Sequence, residues 1–171
     1  MTSLPLNGLP RVYQISVSQG GVPKLPVSEA TITTLGVEGD RQRHPDIHGG
    51  PERAVCLFSF EVIEALQAEG HPIVSGSTGD NLTLAGIDWI SLKLGDRIGV
   101  GPVRLELVSY TAPCMHNGRW FVNGDFSRIS QKKHPGWSRL YARVLTEGLI
   151  RTGDPVIHER HPSHRHETTF L

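Results

Sequence analysis

Glycine and proline interrupt this chain at short, even intervals, and no other feature limits its fold so strongly. With 19 glycines and 12 prolines among 171 residues, few apolar segments run far before a residue that breaks a helix or ends a ladder. The runs between are rich in β-branched and aliphatic residues. Residues 11–18 alternate at period two, 30–35 read Ala-Thr-Ile-Thr-Thr-Leu, and 103–108 alternate again. Residues 53–58 form a short apolar run read as a buried strand, and a glycine-bounded turn at 76–79 enters another strand. Residues 92–100 read as a strand, a Gly95-Asp96 turn and a return strand; 140–145 as a strand between Gly136 and Gly148; 149–157 as a hairpin-like pair. One stretch carries a firm helical face. Ser59 is its N-cap, Glu61 and Glu64 lie in the early turns, Val62, Ile63 and Leu66 share one side, and Gly70 and Pro72 stop it. A second, short helix capped by Asp125 is expected within 125–134. About nine short strands and one firm helix predict a mainly β fold, a closed or nearly closed antiparallel β-barrel.

Length suits a single domain, with a core over residues 11–157 and a histidine-rich tail at 158–171. Seventeen basic and 17 acidic residues balance, so net charge pulls toward no polyanion. No basic stripe is interleaved with aromatics, and nucleic acid is not an expected partner. No apolar run approaches the ~20 residues of a membrane span, and the first ten residues lack a signal peptide's basic start and apolar stretch. The two cysteines, Cys56 and Cys114, make no disulfide framework, so both are expected free in a reducing cytoplasm.

The chemistry centres on Thr111-Ala112-Pro113-Cys114-Met115-His116. Pro113 fixes its own φ and biases Ala112 toward an extended conformation, so Cys114 should sit where a strand ends and the chain turns. Such a thiol is either a small buried hydrophobe or a side chain that reaches into a site. Cys56, inside the apolar run, reads as packing. Upstream, Gly36-Val37-Glu38-Gly39-Asp40-Arg41 leads through a polar loop to His48-Gly49-Gly50. Glycines beside cations suit an anion such as a phosphate, and the same loop also reads as a solvated turn with a surface ion pair. In a strand Asp40 and Arg41 would face opposite sides, leaving one structural and the other turned to a ligand. Asn81 either closes an Asx turn or offers its amide to a ligand. His158, His161, His164 and His166 match no defined metal-site spacing, and a solvated tail is expected there.

Taken in order, Gly21-Val22-Pro23-Lys24, Gly39-Asp40-Arg41, His48-Gly49-Gly50-Pro51, Gly79-Asp80-Asn81-Leu82-Thr83, Gly95-Asp96-Arg97, Pro113-Cys114 and Gly153-Asp154-Pro155-Val156 form a series. No single piece is specific, but the ordered series resembles the MOSC domain, the C-terminal domain of molybdenum cofactor sulfurases, in its compact bacterial form. The resemblance implies a β-barrel that binds a molybdenum cofactor of the molybdopterin type. It makes Cys114 the protein ligand to the metal and sets Lys24, Arg41 and Asn81 at the pterin and phosphate contacts. His48 would line the same pocket, and Cys114 and His48 would be the catalytic residues. The sequence departs from the family pattern at Ile47, where a second histidine is frequent, and at Asp80, where glutamate is usual. A soft thiolate does suit a heavy metal, and nearby cations lower a thiol's pKa.

The resemblance also implies an enzyme, a molybdenum-dependent oxidoreductase that reduces N-hydroxylated or otherwise N-oxygenated small molecules. The chain has no iron–sulfur spacing, so electrons would come from a separate flavin or Fe-S protein. Two alternatives stand beside this: a sulfur carrier with a persulfide on Cys114, and a cofactor-binding module without chemistry. Pyridoxal phosphate would need a Schiff-base lysine, for which Lys24 is the placed candidate. It is not expected, because the aminotransferase-like domain of the eukaryotic sulfurases is not in this sequence.

Overall fold

The computed structural model describes residues 3–41 and 49–164. His48, Ile47 and His166 therefore lie outside the described residues. The described elements are β1 (Arg11–Val17), β2 (Leu25–Val27), β3 (Glu29–Thr33), β4 (Gly36–Val37), β5 (Val55–Ser59), α1 (Phe60–Ala68), β6 (Leu82–Ala85), β7 (Arg97–Val100), β8 (Val103–Tyr110), β9 (Leu140–Thr146), β10 (Gly148–Arg151) and β11 (Val156–Glu159), with short 3-10 turns between them. The fold is mainly β, as the punctuation predicts.

The strands form an eight-stranded sheet in the order β11-β7-β8-β9-β5-β6-β1-β2 and a three-stranded sheet in the order β10-β3-β4. Of the expected closed or nearly closed antiparallel barrel, the closed form is corrected: among the described residues the ladder does not close. The large sheet does curl back on itself. Arg11 at the start of β1 bridges Pro155, just before β11, and Val12 N–H donates to Asp154 O at 2.9 Å. That junction is a turn meeting a strand end, so no continuous strand pair seals it. Pairing is not wholly antiparallel either. β5 and β6 run parallel, because α1 lies between them and returns the chain to the same end of the sheet.

Three local readings are also corrected. Residues 92–94 are not a strand; only the return leg, β7, enters the ladder. The last two strands are not a hairpin, since β10 pairs with β3 and β11 with β7. The stretch after Asp125 holds a 3-10 turn, Phe126–Ile129, and the Asp125 carboxylate accepts from the Ser127 hydroxyl rather than capping it. β2 escaped notice because Pro26 sits inside it, and proline is tolerated there because β2 ends the sheet.

α1 forms as its signals dictate. Ser59 Oγ accepts from Val62 N–H at 3.2 Å, and Val62, Ile63 and Leu66 are buried. Glu61 is buried as well, and its carboxylate accepts from Asn7 N–H at 3.0 Å and Gly86 N–H at 2.6 Å. All five residues of β5 are buried, because the strand lies between β6 and β9 with α1 following it. Phe58, Leu57, Ile15, Leu82 and Leu105 are fully buried in the same core, each worth roughly 1.5–3 kcal/mol relative to exposure. Among the described residues, no helix is long and apolar enough to cross a membrane.

The histidine-rich segment is not a solvated tail over its described part. His158 belongs to β11, and His158 Nε2 and His164 Nδ1 lie 2.8 and 3.1 Å from the carboxylate of buried Asp96.

Candidate functional site

Five segments converge on a cavity of about 470 Å³. The loop after β8 brings Cys114 and Asn117, the turn before β6 brings Thr78, Gly79 and Asn81, the loop before β2 brings Lys24, and β5 and the start of β9 bring Cys56, Arg139 and Tyr141.

Cys114 stands where a strand end meets a turn, as Pro113 predicts. It is half-buried, extended at φ −127°, and precedes the 3-10 turn Met115–Trp120. Asn117 fixes it. The amide oxygen of Asn117 accepts from Cys114 N–H at 3.2 Å and lies 3.8 Å from its Sγ. Asn117 Nδ2 donates to Thr78 O at 3.4 Å, tying the thiol loop to the turn opposite. His116 and Met115 line the exposed mouth.

Lys24 and Asn81 also line the cavity, and both are held by Asp40. The ammonium of Lys24 lies 2.7 Å from each Asp40 oxygen, with both side chains buried. Asp40 further accepts from Ser18 N–H at 2.8 Å and Asn81 Nδ2 at 3.0 Å. Asn81 Oδ1 accepts from Cys56 N–H at 3.0 Å. Asn81 therefore makes no Asx turn; its amide joins β5 to Asp40 and to Ser16 O on β1. Of the neighbouring pair, Asp40 is the structural member. Arg41 is exposed and is not part of the cavity lining.

Cys56 is packed into β5 as expected, yet it also reaches the cavity wall. Burial pushes its thiol up to about 11, against the opposing pull of the Arg139 guanidinium. Burial likewise pushes the Tyr141 phenol up to about 12, aided by Cys56. Both groups are neutral near pH 7.

The sequence reading missed Arg139, Thr78, Asn117 and Tyr141. Arg139 is buried, with Nη1 donating to Thr78 O and Nη2 to Ala112 O at 3.4 Å. Its one sequence signal is a charged residue heading an apolar strand. Among the described residues, no group of three or more histidines, cysteines or carboxylates is arranged to hold a metal ion.

Fold and site together define a mainly β protein with a thiol-edged cavity. A family model for the MOSC domain matches residues 44–157, well over half of the chain, and the chain belongs to that family. It is 27% identical over 135 residues to the uncharacterized protein YflK of Bacillus subtilis, covering 78% of this chain and 60% of that one. It is 27% identical over 133 residues to the protein YiiM of Escherichia coli, covering 75% and 58%. The chain thus spans about three fifths of the length of these relatives. The crystal structure of YiiM from Geobacillus stearothermophilus superposes with a TM-score of 0.70 at 22% identity, over 88% of this chain and 75% of that one. The YUAD protein of Bacillus subtilis gives 0.67 at 19% identity, over 88% and 96%. At these identities the structures speak for the fold.

Proposed function

We propose that this cavity binds a molybdenum–pterin cofactor with Cys114 as protein ligand, and that the protein reduces N-hydroxylated small molecules. The observation that carries the reading is the half-buried thiol of Cys114 on the lining of a cavity of about 470 Å³. The residues present fit such a group. The volume suits a cofactor, the sulfur is a soft donor, and Arg139 Nε and Thr78 Oγ1 are buried donors on the wall without a protein partner. With no clustered protein ligands among the described residues, Cys114 would be the chain's own contribution to the metal. When bound, the group supplies oxygen-atom transfer chemistry at a redox-active metal. Asn117 orients the thiol by holding Cys114 N–H. Lys24 and Asn81 line the wall and are both bonded to Asp40, and the neutral Cys56 and Tyr141 compete neither as a second thiolate ligand nor as a base. His48 is assigned to the same pocket by the family motif. A separate flavin or Fe-S protein is the proposed electron donor, and the cytoplasm the proposed compartment.

The test is protein made in a host that synthesises the cofactor, assayed for metal, pterin and reduction of an N-hydroxylated base by a chemical reductant. Cys114→Ser should fold, keep part of its pterin and lose at least tenfold in activity per bound metal, because a hard hydroxyl replaces the soft thiolate. Cys56→Ser should keep its activity in whatever fraction folds. Full activity per metal in Cys114→Ser would sink the assignment. A persulfide on Cys114 in metal-free protein would favour the sulfur carrier instead.

A further inference from the structure

We propose that His71 and His134 form a pH-released latch, which holds the segment bearing the cavity mouth against the end of α1 while both rings are neutral. The inference stands on the fold and does not depend on the cofactor reading.

The segment after Cys114 runs from Met115 to Trp137 in 3-10 turns and bends. Its first part lines the cavity with Met115, His116, Asn117 and Arg119. Asn117 and Arg119 tie that part to the cavity side, at Thr78 O (3.4 Å) and Val22 O (2.5 Å). The part beyond is fastened elsewhere, to residues just past α1. Arg128 makes a forked pair with the Glu69 carboxylate at 3.0 and 2.6 Å, and its guanidinium lies over the Trp137 ring, 4.8 Å from the centroid. Val122 opens a 3-10 turn, so its N–H has no acceptor within the turn, and Phe121 before it supplies no side-chain cap. The acceptor is His71 Nδ1, at 3.0 Å. The His71 side chain is 9% exposed, and its ring lies tilted against Phe121 with centroids 5.3 Å apart.

Both rings are held by donors that cannot reverse. A backbone N–H only donates, so His71 Nδ1 carries no proton; Nε2 carries it, 3.3 Å from a Glu69 oxygen. A guanidinium only donates, so His134 Nδ1, 2.9 Å from Arg128 Nη1, carries no proton either. A proton added to either Nδ1 ends one fastening bond. At His71 it sets an N–H against the Val122 N–H, while Glu69 attracts the imidazolium so formed. At His134 it sets a cation against Arg128, and Asp125, within electrostatic reach of both His134 and Lys133, draws the charged ring. Glu69 stays ionised throughout, because its hydrogen bonds from Arg128 hold the carboxyl below the ordinary carboxylate range. The latch is therefore closed where histidine is neutral and opens as pH falls through the ordinary histidine value, about 6.5.

The test is hydrogen exchange, read by mass spectrometry on full-length protein at pH 8 and pH 5.5, with protection corrected for the intrinsic pH dependence of exchange. Wild type should lose at least tenfold in protection across 115–137 at pH 5.5, while β5, β8 and β9 keep theirs. The double variant His71→Asn, His134→Asn puts an amide oxygen within reach of each Nδ1 position, and an amide does not titrate. It should hold its protection within twofold between the two pH values. If it does not fold, nuclear magnetic resonance of wild type carries the test: both Nδ1 atoms should be unprotonated at pH 8, and the Val122 amide should shift in step with the His71 ring as pH falls. Full protection of 115–137 in wild type at pH 5.5 overturns the latch. So does a loss in the folded double variant equal to that of wild type, or a His71 Nδ1 that carries a proton at pH 8. Loss beyond Val122 with Met115–Trp120 still protected overturns it too, because the cavity mouth would then not be what the latch holds.

Discussion

Asp40 and Arg41 are neighbours in sequence and opposites in use. Asp40 gathers Lys24, Asn81 and Ser18 N–H, while Arg41 is exposed and not part of the lining. Breaking such a buried pair from one side leaves a stranded charge, which costs about 3–5 kcal/mol. Asp40→Asn should therefore lose stability on that scale in chemical denaturation, and Asp40→Asn combined with Lys24→Met should recover most of it. Equal losses in the single and double variants would show that Lys24 is not the partner that matters. At this scale the sequence marked Cys114, Lys24 and Asn81, because each sits in a short Gly- or Pro-punctuated motif that the cavity also uses. It could not mark Arg139. Nothing local to Ser138-Arg139-Leu140 distinguishes a buried guanidinium from a surface one, since its burial comes from Thr78 and Ala112, remote in sequence.

Individual elements were legible for a physical reason: caps, breakers and period are local. Ser59 is the best case, since its hydroxyl accepts the Val62 N–H and α1 begins at the next residue. Ser59→Ala should cost about 1 kcal/mol, read as a lowered denaturation midpoint with an unchanged slope. A change within error would mean that burial of Val62, Ile63 and Leu66 alone sets the helix start. Partners were not legible, because pairing depends on contacts far apart in the chain. Leu149-Ile150 and Val156-Ile157 each read as strands, yet one joins Ala30 and Thr31 on β3 and the other joins Gly99 and Val100 on β7. The seam between β1 and residues 153–156, bridged but without a strand ladder, follows from the same kind of long-range contact.

At the scale of the whole molecule, the chain's end is fastened to its middle through Asp96. One carboxylate oxygen takes His161 N–H at 2.9 Å and the His164 ring at 3.1 Å; the other takes Lys93 N–H at 3.1 Å and the His158 ring at 2.8 Å. Burial alone would raise the pKa of this carboxyl, but these four hydrogen bonds outweigh it and hold the group at about 2, against an ordinary value of 3.8. A carboxyl held low in the folded state contributes stability that is complete above its unfolded value and lost as pH falls through the folded one. Asp96 should thus contribute about 2 kcal/mol at neutral pH, and that share should drain away between about pH 4 and pH 2. Asp96→Asn has no carboxylate to protonate. It should be less stable at pH 7 and show a shallower loss of unfolding free energy through that window. Part of the acid limb should remain, from Glu69 held low by Arg128 and from Glu106, whose burial is outweighed by Arg143 and Arg97. Truncation after Ile157 removes His158, His161 and His164, and with them three of the four bonds to Asp96. It should flatten the same window without touching the cavity lining. If Asp96→Asn and the truncation both keep the wild-type slope between about pH 4 and pH 2, the fastening does not contribute to stability and the acid limb belongs to other carboxylates.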